Sequence, residues 1–437
     1  MPASRRRSSS SLPRVCATLS VTACALALAA SASATAAAQS TPQASERSAA
    51  LLDSLLRANR HPIALQGGSL SGPGARLLLD AAREAQFFMI GESHNGADTP
   101  RFTSALFDAI RTYGYGYYAV EYGPVLGRML SRAGVRGNED ATFAVGRRYP
   151  HAFQFWNDEE LLAMTSIGKS SVAKGDPIWG LDNEWGALHA LDRLETLAPN
   201  DSARDRIRAL IASVRPVEAR RPLTPGDLPR FISGADSTEF DALRAAFFPR
   251  PGSEAAFLLD ALEKSNRIYL NNRAAGQGAL TGWWSNAERE RYIKDNFVRN
   301  YRAAVRAGDS LPRVLLKFGS VHAGNWLSAT NVHTIGSFVH EFAIANGGDA
   351  FHMVAWLVNE PGTYWTLAES PEYLPLANAG STTRWTVVDL RPLRPFAHAG
   401  RLSSMSREMR ALVFAYDAVL LIGGGTRGTH QKLGDAR

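Results

Sequence analysis

Seven short apolar runs, separated in several places by helix-patterned sequence, limit this chain to few architectures. They are Gln86–Ile90, Tyr117–Glu121, Pro177–Leu181, Arg313–Phe318, His352–Val358, Trp385–Leu390 and Ala415–Ile422. Most are rich in β-branched and aromatic residues, the composition of strands covered on both faces. The clearest intervening helix is Arg101–Tyr113, where Phe102, Leu106 and Ile110 recur every four residues. Thr99 is its expected N-cap, Pro100 suits the first turn and Gly114 the stop. This alternation predicts an α/β fold with a largely parallel central sheet flanked by helices, forming a single domain over residues 39–437.

One interval breaks the alternation. From Ala187 to about Ala307 the sequence is helical and charge-rich, without a convincing strand. About 120 residues is far more than a crossover requires, so a long helical insertion is expected to cover the sheet edge and wall a pocket. It contains a proline-punctuated loop, Arg220–Pro229, and the stretch Gly282-Trp283-Trp284, whose tryptophans are expected in the core.

The first 38 residues read as a secretory signal. Arg5, Arg6, Arg7 and Arg14 precede an alanine-rich apolar stretch, and Ala36-Ala37-Ala38 is an expected cleavage site. No charged stop-transfer flank follows, so no stable membrane span is expected and the chain is expected to be exported, periplasmic or secreted. Val21-Thr22-Ala23-Cys24 also resembles a lipobox, which keeps a lipid anchor at Cys24 as the lesser alternative. Cys16 and Cys24 both lie in this segment; a processed chain has no disulfide, thiolate metal site or cysteine nucleophile. Losing the leader's four arginines lowers the formal charge from +7 to +3. No basic run remains, which argues against a nucleic-acid partner.

In open α/β sheets, ligands bind beyond the carboxyl ends of the strands. Here the first four runs end in Gly91-Glu92-Ser93-His94, in Glu121, in Gly180-Leu181-Asp182 and in Gly319-Ser320-Val321-His322. Two Gly-x-x-His tetrads and several acids are thus directed to one rim, with glycines that let the backbone turn sharply. Glu92 and Asp182 could equally cap the helices that follow, and either histidine alone would suit a structural hydrogen bond. Glu121, behind apolar Tyr117–Val120, is expected to be buried and to need a histidine, an arginine or a metal as partner.

These motifs resemble the erythromycin esterase, ChaN and Tiki/TraB superfamily. FFMIGESHN followed by a helix and YYAVEYG is similar to its opening, KFGSVH to its second histidine element and Trp179-Gly180-Leu181-Asp182 to its short Gly–Asp element. Arg289-Glu290-Arg291-Tyr292 looks like its arginine-bearing helix, and Tyr416-Asp417-Ala418-Val419 like its last strand. The esterase-like branch implies His94 as general base on water, with Glu92, Glu121 and His322 in support, Asp182 as a weaker member, and Arg289 stabilising the oxyanion. The Tiki-like branch implies a divalent metal (Mn, Co or Zn) on His94, His322 and Glu121, cleaving peptides. Two residues between Gly91 and His94 match that branch; erythromycin esterases usually carry three. The ChaN-like branch implies haem or iron binding, but Thr99-Pro100-Arg101 stands where its histidine pair is expected.

The expected function is hydrolysis of an ester or amide bond in a small-molecule or peptide substrate by His94-activated water. Neither Gly-x-Ser-x-Gly nor His-Glu-x-x-His occurs, which argues against ordinary serine hydrolases and zincins. Gly423-Gly424-Gly425-Thr426 reads as a flexible loop, and His333, His340, His352 and His398 as structural histidines.

Overall fold

A computed structural model describes residues 42–432, apart from 136–137, 154–156, 220–229, 361 and 363–365. The expected leader, the Cys24 lipobox and the Arg220–Pro229 loop lie outside the described residues. Among the described residues the strands are β1 (Arg60–Gln66), β2 (Ser69–Ser71), β3 (Ala85–Glu92), β4 (Tyr115–Val120), β5 (Ile178–Gly180), β6 (Arg313–Gly319), β7 (Asp349–Val358), β8 (Trp385–Asp389) and β9 (Ala418–Gly423). They form one sheet in the order β2-β1-β8-β9-β7-β3-β6-β4-β5. From β9 to β5 every neighbouring pair is parallel; β8, β1 and β2 extend the sheet antiparallel at one edge. The fold is α/β with a mostly parallel sheet.

The central strands are buried along their whole length because helices cover both faces. The pleat sorts their side chains: Phe88, Ile90 and Leu315 join one core, and Phe87, Met89, Leu316 and Phe318 the other. Between β5 and β6 the described residues form only helices, from Leu188–Thr196 to Gly282–Arg306. The last of these lays Ile293, Phe297 and Tyr301 against the second face, where Phe297 meets Phe87 edge-on at 5.4 Å. No described helix is long and apolar enough to cross a membrane.

Three local expectations change and one element is added. The first crossover helix starts at Asp98, so Thr99 lies inside its first turn, where its carbonyl accepts from Thr103 Oγ1. Gly114 does end the following turn, at φ 92°. The hairpin β1–β2 is an addition: Pro62 and Arg60 disguise a strand that pairs with β8 on one side and with the edge strand β2 on the other, while the turn glycines Gly67 and Gly68 adopt φ 56° and 79°. Trp283 and Trp284 are 48% and 61% exposed rather than core, because they sit on the protruding first turn of their helix. The glycines after β9 lead into an ordered strap, not a free loop. Its Thr426 carbonyl accepts from Ala97 N–H, and Gly428 N–H donates to Asn95 O at 2.8 Å.

Candidate functional site

β6 lies between β3 and β4, with β5 beyond β4, so the four polar strand ends stand side by side. In register, Glu92 is opposite Gly319 and Val120 opposite Lys317. The sequence-expected residues Glu92, His94, Glu121, Asp182, Arg289 and His322 all meet at this edge through a continuous set of contacts.

His94 lies 20% exposed in the turn after β3. Its Nδ1 is 3.1 Å from Glu92 Oε1 and its Nε2 is 3.5 Å from Glu121 Oε2. Asn95 follows with φ 71°, a left-handed conformation that asparagine tolerates better than most residues. The strap bond from Gly428 holds that strained turn. Gly319 is required beside it: a Cβ there would stand 2.7 Å from His94 Nε2 and 3.3 Å from Glu121 Oε2.

His322, 12% exposed, repeats the arrangement. Its Nδ1 is 2.6 Å from Glu290 Oε1, and its Nε2 is 3.6 Å from the other Glu121 oxygen, Oε1. Burial disfavours its imidazolium, but the charges of Glu121 and Glu290 outweigh that and raise its pKa above the ordinary value. Each imidazole thus has its own carboxylate on Nδ1, and both direct Nε2 at Glu121.

Glu121 is the hub. Oε1 accepts from Arg289 Nη2 at 2.9 Å, and Oε2 from the Gly319 N–H at 2.6 Å. Burial opposes its ionisation, yet His94, His322, Arg289 and that N–H pull its carboxyl down to about 2. Asp182 is fully buried and grips Arg289 through two bonds, from Nε at 2.8 Å and Nη2 at 2.5 Å. This fork-to-fork geometry makes Arg289 a clasp for two carboxylates. Two of its three nitrogens are committed to them, which reduces the oxyanion role that the resemblance implies for it.

Sequence reasoning missed three members. Lys317, buried in β6, places Nζ 2.5 Å from both Glu92 Oε1 and Glu160 Oε1. Glu160 comes from the start of the helix Asp158–Ser170, and its Oε2 is buried without a hydrogen-bond partner. One ammonium therefore serves two carboxylates. Burial would raise Glu92, but Lys317 and the His94 contact hold it below its ordinary value. Burial together with the Glu92 charge raises Glu160 to about 7, against the opposing pull of Lys317. The available signal was a single lysine inside an apolar strand, where an unpaired ammonium is untenable. Glu290, the third, stood in the sequence directly after Arg289.

The His94, His322 and Glu121 set does not fit a resident divalent metal. Both Glu121 oxygens already accept from protein donors, one of them a guanidinium that would repel a cation. Among the described residues no group of three or more His, Cys, Asp or Glu is arranged to hold a metal ion. Cavity size does not locate this chemistry either. A cavity of about 820 Å³ opens at the hairpin edge, lined by Ile63, Trp385 and Arg384, and among the described residues no histidine lines it.

No family model matches the chain, and no curated protein matches it in sequence. Solved structures do share its fold. The erythromycin esterase EreC in its open conformation superposes with a TM-score of 0.50 at 14% identity, covering 81% of this chain and 94% of that one. A succinoglycan biosynthesis protein gives 0.52 at 14% identity, over 87% and 98% of the two chains. A Bacillus cereus protein gives 0.51 at 12% identity over the same shares. The chain therefore has the fold of the erythromycin esterase EreC and of these two further proteins.

Proposed function

We propose that this chain is an exported hydrolase of the erythromycin esterase-like superfamily, cleaving an ester or amide bond with water activated by His94. The observation that carries the reading is the pair of carboxylate-backed imidazoles facing the two oxygens of Glu121. Glu92, kept ionised by Lys317, accepts the Nδ1–H of His94, which leaves Nε2 as the basic nitrogen. As water attacks the substrate carbonyl, its proton passes to Nε2, and Glu92 and Glu121 stabilise the imidazolium that forms. His322, biased towards imidazolium, donates to the developing oxyanion and then supplies the leaving group's proton. Arg289 and Asp182 fix Glu121 between the two rings.

The test is a panel of esters and amides presented to the purified chain with and without chelator. Turnover that persists with chelator and disappears in His94→Ala supports the reading. Turnover that chelator abolishes and added Mn²⁺ restores supports the metal-dependent peptidase. Export is checked separately: the processed chain recovered from outside the cytoplasm should begin at Gln39.

A further inference from the structure

A second cleft, on the outer side of the helix that follows Glu121, has the chemistry of a ligand site. It has a volume of about 520 Å³ and opens between the helices Pro124–Val135, Glu139–Arg148, Leu188–Thr196 and Glu254–Gly276. Its interior is apolar, with Val125, Met129, Val145, Phe257 and Leu258 on its walls and floor. That size and lining suit a small organic ligand.

The rim is basic, and its charges are unevenly matched. Arg148 pairs with Asp192 at 2.9 Å, and Arg193 with Glu254 at 2.6 Å. Arg128 and Arg132, one helical turn apart, have no carboxylate within ion-pair distance among the described residues. Arg128 is half-buried, its guanidinium 3.5 Å over the Phe257 ring, and Arg299 approaches the same ring at 5.1 Å. Arg299 offers no compensating charge, and its Nε is itself buried without a hydrogen-bond partner. Burial and the repulsion of Arg299 and Arg132 lower the pKa of Arg128, outweighing the charges of Asp176 and Glu254, which lie beyond ion-pair distance. A cation held at the mouth of an apolar cavity beside like charges is stabilised by an anion that brings its own apolar body.

We propose that this cleft binds an amphipathic carboxylate, with an unbranched acyl chain in the cavity and its head group on Arg128 and Arg132. Charge complementarity selects the head, since guanidinium forks match a carboxylate. The aliphatic and aromatic walls select the tail. The site is separate from His94 and stands whether or not the chain is a hydrolase.

Calorimetric titration of the full chain with submicellar dodecanoate, 1-dodecanol and acetate tests this. The expected result is saturable binding of dodecanoate alone, weakened about tenfold by Arg128→Gln and again by Arg132→Gln. Arg132 is solvent-exposed, so its variant keeps the test valid if Arg128→Gln fails to fold. The proposal is overturned if dodecanoate does not bind, if dodecanol or acetate binds as tightly, or if neither arginine variant weakens binding.

Discussion

The ammonium of Lys317 stands 2.5 Å from Glu92 Oε1, directly behind the carboxylate that meets His94 Nδ1. Removing it strands two buried carboxylates at once. Lys317→Met should therefore cost about 3–5 kcal/mol in urea unfolding. In the folded fraction it should lower kcat more than it raises KM, because what is lost is the support of the base His94. Combining it with Glu160→Gln should recover part of the stability. A single variant as stable as the wild type would contradict this arrangement.

Glu160 makes stability fall with rising pH. Its folded carboxyl, near 7, binds a proton that the unfolded chain releases near about 4.3. Its contribution is fully present below the lower value and is lost as pH rises through 7. Glu121 has the opposite sign: its folded value of about 2 lies below the unfolded one, so its contribution is present above about 4.3 and is lost as pH falls towards 2. Unfolding free energies measured from pH 2 to 9 should show both limbs, and Glu160→Gln should weaken only the upper one, leaving the part due to Glu218, whose carboxyl burial also raises to about 7.

Glu290 helps keep His322 protonated. Glu290→Gln removes that charge but preserves the shape, so the alkaline limb of the pH–rate profile should move to lower pH. The acid limb, which reports on other groups, should stay in place. An unmoved alkaline limb would remove His322 from the role of proton donor.

Gly319→Ala places a methyl 2.7 Å from His94 Nε2. The ring must shift, and displacement of a reacting group by about 1 Å can cost about 10²-fold in rate. Thermal melting should change far less than kcat, since the β6 backbone at this residue does not use a positive φ.

The frame of this site was legible because strands covered on both faces are continuous apolar runs, and their polar ends stand out against them. Glu92, His94, Glu121, Asp182 and His322 could each be read at or just beyond such an end. Lys317 and Glu160 could not be joined in the same way. They meet only where the pleat turns both Glu92 and Lys317 towards the start of the helix Asp158–Ser170, 157 positions away along the chain from Glu160 to Lys317. In sequence, Asp158-Glu159-Glu160 reads as the acidic first turn of a helix, which it also is. The hairpin β1–β2 escaped notice for another reason: its burial alternates weakly and Pro62 lies inside it. Glu290 was adjacent to a residue already singled out, but only the folded approach of its helix to the short helix Ser320–Ala323 after β6 brings it to His322.

The central claim is that His94 is the base. The most direct measurement is the kcat of His94→Ala on the ester or amide that the wild-type chain cleaves fastest, with folding verified by thermal melting. The account predicts a loss of about 10²–10⁴-fold with an unchanged fold. A correctly folded His94→Ala that turns over at the wild-type rate would contradict it.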